Sequence, residues 1–154
     1  MKTKILPLLS FLSFTLYFSS CTSSKQDTVF YDTSKLNNCS LTAGKINVTI
    51  NQVHDKEIED QLRQIVEVKN NMFCENIPPD KTASFNVSII ERKIIEDFEP
   101  KYSSFIYTSI TDSNDSILFE NCCYKKSRFS IVSSDYLNKC ISEVYSKLNK
   151  TVTD

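Results

Sequence analysis

Apolar and polar residues alternate through Ile46, Val48 and Ile50, the two-residue period of a strand with one buried face. A strand is therefore expected over 46–53. The period then lengthens. Ile58, Leu62, Ile65 and Val66 fall on one side of a helix, which the pattern places over 56–71. Asp55 is suited to cap it, and Glu57, Glu59 and Asp60 suit the positive end of the helix dipole. Pro78-Pro79-Asp80 marks a turn. A long strand follows from Ser84 to Phe98, with Phe85, Val87 and Ile89 pointing inward. Its two adjacent isoleucine pairs, Ile89-Ile90 and Ile94-Ile95, predict a bulge or bend, and Glu99-Pro100 ends it. Ser104–Thr111 and Ile117–Tyr124 are strands joined by the turn residues of Asp112–Ser116. Leu137, Cys140, Ile141, Val144 and Leu148 restore the helical period to about residue 149, behind a cap at Ser133 or Ser134.

The predicted order is β-α-β-β-β-α. Two amphipathic helices and one half-apolar sheet are satisfied by an α+β two-layer sandwich. The expected form is an antiparallel-rich four-stranded sheet with two helices on one face. Asn47, Thr49, Asn86 and Ser88 would lie on the other face, in water. Residues 22–40 read as tether and loop, with Val29-Phe30-Tyr31 as a short strand. Of the aromatic residues Tyr102, Phe105, Tyr107, Phe119 and Tyr124, most are expected in the core.

The N-terminus has a different plan. Lys2 and Lys4 precede an apolar run, Ile5–Phe18, too short for a comfortable membrane span. Phe18-Ser19-Ser20-Cys21 then resembles the lipobox of bacterial lipoproteins. That resemblance implies a signal peptide over 1–20, a diacylglycerol group and a further fatty acid on Cys21, and a location in the bacterial cell envelope. The expected site is the outer membrane, at its periplasmic face or at the cell surface. The organisation expected is a lipidated tether over 21–43, one domain over 44–149 and a polar tail over 150–154. The element order across 44–149 also resembles small envelope lipoproteins, among them the lipopolysaccharide-transport lipoprotein and the lipoprotein activators of peptidoglycan synthases. That likeness implies a scaffold, plug or activator rather than a catalyst.

Composition narrows the chemistry. Without Lys2 and Lys4 the 18 basic residues of the chain become 16, against 19 acidic ones, a net charge of about −3. Binding to nucleic acid needs clustered Lys and Arg, and the only short basic run is Lys125-Lys126-Ser127-Arg128, so no nucleic-acid partner is expected. Gly44 is the single glycine, which excludes glycine-rich phosphate-binding loops. His54 is the single histidine, and its place beside Asp55 at a strand-to-helix junction suits capping or surface contact. Asp112–Ser116 lacks the glycine and the closing glutamate of a calcium loop. No catalytic residue, cofactor or metal site is expected.

The six cysteines are 21, 39, 74, 122, 123 and 140. With Cys21 lipidated, five remain for an oxidising compartment. Neighbouring strand residues face opposite ways, so one of Cys122 and Cys123 is a candidate disulfide partner for Cys140, on the apolar stripe of the second helix. Cys39 with Cys74 is a further candidate. The function expected is that of a non-enzymatic envelope lipoprotein, held to the membrane by lipid, that binds an envelope protein or polymer. The alternatives are a small envelope hydrolase and a surface lipoprotein that binds host molecules.

Overall fold

The computed structural model describes residues 23–36, 39–73, 82–132 and 135–153. Strand β1 spans Ser23–Phe30, the short helix α1 Thr33–Leu36, β2 Ser40–Ile50 and the two-residue β3 Val53–His54. Helix α2 spans Lys56–Phe73, β4 Thr82–Glu96, β5 Glu99–Thr111, β6 Ile117–Ser127 and α3 Asp135–Thr153. They form one six-stranded mixed sheet in the order β1-β6-β5-β4-β2-β3. The class is α+β as expected, but among the described residues the sheet has six strands rather than four, and three helices occur rather than two. No helix among the described residues is long and apolar enough to cross a membrane.

Only the β2–β4 pair is parallel. Parallel neighbours need a crossover connection, and α2 lies between them in the chain. Asp55 begins that helix as expected: its Oδ1 accepts the Ile58 amide at 3.0 Å. α2 buries Leu62 and Val66, while α3 buries Leu137, Cys140, Ile141, Val144, Tyr145 and Leu148. Tyr145 stacks on Phe85 of β4 at 4.9 Å between ring centroids, and its hydroxyl donates to Asn70 Oδ1 of α2 at 2.7 Å. Both long helices therefore share the sheet face that carries Ile46, Val48, Phe85, Val87, Ile89, Ile106, Ile110, Phe119 and Cys123.

Several boundaries differ from the sequence reading. The stretch expected as tether over 21–43 contains β1, α1 and the start of β2. β1 is an edge strand paired with β6 alone, so its polar residues need no apolar cover. Gln26 Nε2 and Thr28 Oγ1 both donate to Asn121 Oδ1, at 3.0 and 2.8 Å. The expected tail over 150–154 is helical as far as Thr153.

β4 pairs with β5 from Ser84 to Glu96 without a register shift, so the bulge expected there is absent. The irregularity lies in β2 instead, between Ala43 and Ile46, and it explains the single glycine. A Cβ on Gly44 would lie 2.3 Å from Asn86 Oδ1, and that oxygen accepts the Lys45 amide at 2.8 Å. Nor do Glu99 and Pro100 end the strand. They open β5 after a tight turn in which Asp97 and Phe98 have φ of 53° and 61°. The turn at 78–80, the caps Ser133 and Ser134, and Cys21 and Cys74 lie outside the described residues.

Candidate functional site

The sheet face opposite the two long helices presents an ordered set of side chains. Strand register places its side chains in rows. One row runs Asn47, Ser88, Tyr107, Cys122, Asp27, and the next Thr49, Ile90, Phe105, Tyr124, Lys25. A third runs Asn86, Ser109, Glu120, Val29. Asn47, Thr49, Asn86 and Ser88 thus lie on the open face, as their alternation implied. Phe105 and Tyr107 do not enter the core as expected: they are 46% and 37% exposed, beside exposed Ile90 and Val29. Phe119 is the member of that aromatic set that lies fully buried. The inward positions of β5 are filled by Ser104, Ile106, Thr108 and Ile110, and parity then sends its aromatic residues outward.

The aromatic residues are fixed in place. Phe105 and Tyr124 pack across the strands with centroids 4.8 Å apart. Tyr107 donates a short hydrogen bond to Glu120 Oε1, and the Tyr31 hydroxyl donates to Glu120 Oε2 at 2.7 Å. These phenols hold the Glu120 carboxyl below its usual range, Tyr107 the more strongly. Burial and the Glu120 hydrogen bond push Tyr107 up to about 12, and the bond to Glu120 also raises Tyr31. A carboxylate with both oxygens occupied by phenols is an organised acceptor. Two rows further along the same face, Ile90, Arg92, Ile94, Ser103 and Phe105 line a shallow hollow of about 350 Å³. Ring faces, hydroxyls and one fixed carboxylate suit recognition of a partner surface. Sequence reading missed Glu120 and Tyr31; the available signal was the parity of Glu120, Cys122 and Tyr124 against Phe119, Asn121 and Cys123.

The expected site residues are distributed otherwise. Cys122, Cys123 and Cys140 are free thiols. The vicinal pair splits across the sheet, with Cys122 on the open face and Cys123 buried under α3. The Cys140 thiol hydrogen-bonds Cys123, which lowers the Cys123 thiol and raises that of Cys140. The structure thus brings Cys123, and not Cys122, to Cys140. Cys39 is buried, with its Sγ 3.5 Å from the Leu36 carbonyl. Its candidate partner Cys74 is outside the described residues, as is the lipidation residue Cys21.

His54 is exposed, with Nε2 3.3 Å from Glu59 Oε2 at the start of α2. Asp112 Oδ1 accepts the amides of Asn114 and Ser116 at 2.9 and 3.0 Å, the turn chemistry that its sequence implied. Among the described residues no group of three His, Cys, Asp or Glu side chains could hold a metal. The basic run is dispersed: Lys125 lies over the Tyr136 ring, Lys126 meets Glu96 at 2.5 Å and Arg128 meets Glu99 at 3.1 Å.

No family model matches the chain. No curated protein matches it either. Among solved structures, the chain is similar to a dodecamer of a PelC point variant from Paraburkholderia phytofirmans, at 9% identity and a TM-score of 0.42, over 85% of this chain and 97% of that one. A second PelC dodecamer from the same organism gives 7% identity and a TM-score of 0.39, over 85% and 95%. The Evf virulence factor gives 9% and 0.22, over 92% of this chain and 60% of that one. Superpositions this loose carry no argument about function.

Proposed function

We propose that this protein is a non-enzymatic lipoprotein of the bacterial envelope, anchored through Cys21, that binds an envelope protein or polymer on its open sheet face. The observation that carries the reading is the patch of Phe105, Tyr107, Tyr124, Ile90 and Val29, with Glu120 held beside Tyr107, on a sheet face that no described helix covers. Exposed aromatic side chains held rigid on strands lose little entropy on binding and are frequent anchors of interfaces. The anchor rests on Lys2, Lys4, the short apolar run and Phe18-Ser19-Ser20-Cys21.

The two halves of the proposal are tested separately. Replacing Cys21 by Ala should abolish labelling by a fatty-acid analogue and release the protein from the membrane fraction. Retention of the variant in the membrane, with no label on the wild type, would contradict the anchor. For binding, the tagged protein and a Phe105→Ala/Tyr107→Ala variant are compared in pull-downs from detergent-solubilised envelope. A component retained by the first and lost with the second supports the reading; identical retention by both contradicts it.

A further inference from the structure

Four large apolar side chains are more exposed than any other among the described residues: Phe98, Ile95, Phe129 and Val53, at 101, 81, 77 and 67%. All four sit at one end of the sheet. Ser23, Lys126, Ser103 and Arg92 form a row across β1, β6, β5 and β4 at that end. Past this row β6 adds only Ser127, paired with Tyr102, while β4 and β5 continue to the turn at Asp97-Phe98, with Ile95 and Phe98 at the tip. Phe129 follows the end of β6, in a loop that Arg128 ties to Glu99 at 3.1 Å. Val53 pairs with Ile50, which pairs with Glu91 beside the same row.

The chain enters the domain at this end. Cys21 is two residues before Ser23, and two residues reach at most about 7 Å. The hairpin beyond Arg92 projects further, by about 15 Å at the usual rise of a strand. An acyl-bearing Cys21 would therefore bring the hairpin tip to the bilayer before any other part of the domain. The charges suit a headgroup layer. Glu96 is bound by Lys101 at 2.9 Å and Lys126 at 2.5 Å, Glu99 by Arg128, and Asp97, the exposed carboxylate beside Phe98, lies 3.8 Å from Lys101. Arg92 and Lys93 carry no carboxylate partner among the described residues.

We infer that the β4–β5 hairpin is a second membrane contact: Phe98, Ile95 and Phe129 enter the headgroup and acyl boundary, and Arg92 and Lys93 meet lipid phosphates. The inference rests on lipidation of Cys21. It fixes the orientation of the domain, with β1, β6, β5 and β4 rising from the membrane and the open face standing beside it.

The chain has no tryptophan, so Phe98→Trp creates a single reporter at a fully exposed position. Ser113→Trp, in the turn at the other end of β5 and β6, is the control. Each full-length protein is expressed, extracted as the mature lipoprotein and weighed intact for acyl mass on Cys21. It is then placed in vesicles of phosphatidylethanolamine and phosphatidylglycerol with brominated acyl chains. At an immersion of roughly 5–10 Å, emission of Phe98→Trp should shift to the blue and fall about twofold or more, while Ser113→Trp is unchanged. Acyl mass present with Phe98→Trp unquenched overturns the inference and leaves the anchor standing. A blue shift without quenching places a protein against the tip and overturns it also. Absence of acyl mass overturns the anchor and the inference together.

Discussion

The two faces of the sheet are built from the same strands and from neighbouring residues, yet they obey different rules. Under the helices, Phe85, Ile89, Ile106 and Phe119 are fully buried, and among the described residues the buried side-chain polar atoms are hydrogen-bonded, Asn70 Nδ2 of α2 excepted. Glu91 is fully buried there, accepting Ser104 Oγ at 2.9 Å, Ser130 Oγ at 2.5 Å and the Ile131 amide at 2.8 Å. On the open face, aromatic rings and Glu120 stay accessible and pair with each other across strands. Alternation assigns each residue to a face, but only the helices decide which face is core. The open face can thus carry a pattern chosen for recognition, because stability is supplied from the other side.

The contrast breaks most visibly with one kind of side chain removed from each face. Phe85→Ala should cost roughly 3–5 kcal/mol, the usual loss for a buried phenylalanine that also leaves a cavity. Phe105→Ala should cost about 1 kcal/mol or less, as a half-exposed residue whose main contact is Tyr124. Urea denaturation followed by circular dichroism measures both. Equal losses would mean that the open face is a second core.

The vicinal cysteines pose the same contrast in one dipeptide. With oxidised glutathione as oxidant, Cys123 and Cys140 should close a disulfide, two thiols giving up two protons and two electrons to yield two reduced glutathiones. Cys122 should remain open to alkylation. A loop of this size stabilises by about 3 kcal/mol. Mapping of non-reduced peptides distinguishes this outcome from a Cys122–Cys140 bond, which would contradict the placement of the two faces.

That assignment also marks how far the sequence could be read. The apolar stripe of α3 put Cys140 against the sheet, and strand parity put Cys122 and Cys123 on opposite faces. Choosing between them needed the register of β6 against β5 and β4, which no local pattern contains. The inward sets of β2 and β4 were legible because Ile46, Val48, Phe85, Val87 and Ile89 alternate with Asn47, Asn86 and Ser88. β5 was not, because Ser104 and Thr108 point inward while Phe105 and Tyr107 point outward. β1 was legible only at Val29-Phe30, for a related reason: its partners are the backbone of β6 and the Asn121 amide, and Ser-Lys-Gln-Asp-Thr has no apolar period to betray a strand. The protruding β4–β5 tip escaped notice because Pro100 normally ends a strand, whereas here it sits just past a hairpin turn.

Glu91 gives the next test in size. Glu91→Ala removes the carboxylate that accepts Ser104 Oγ, Ser130 Oγ and the Ile131 amide and should destabilise by about 2–3 kcal/mol. Ser88→Ala, on the open face of the same strand, should stay within about 0.5 kcal/mol. A neutral Glu91→Ala would show that the loop at 128–132 rearranges without cost.

The smallest effect is electrostatic. Tyr107, pushed up to about 12, should be among the last tyrosines to ionise in a spectrophotometric titration. Below the ordinary phenol value near 10 its contribution to stability is complete; as pH rises towards 12 the unfolded chain loses the proton first and the contribution fades. Glu120 acts at the other end of the scale. Its carboxyl is lowered, so its contribution is complete above the ordinary carboxylate range and fades as pH falls through the folded value. Glu120→Gln should move Tyr107 part of the way back, because burial, the larger cause, remains. An unchanged titration would separate the two residues.

The central claim is that the open face, and not the helical one, meets the partner. A photo-crosslinking amino acid placed at position 105 in living cells, with a matched one at exposed Glu67 on α2, measures this directly. One discrete adduct is expected from position 105, weakened by Tyr107→Ala and Glu120→Ala, and none from position 67. Adducts from position 67 with none from 105 would contradict it.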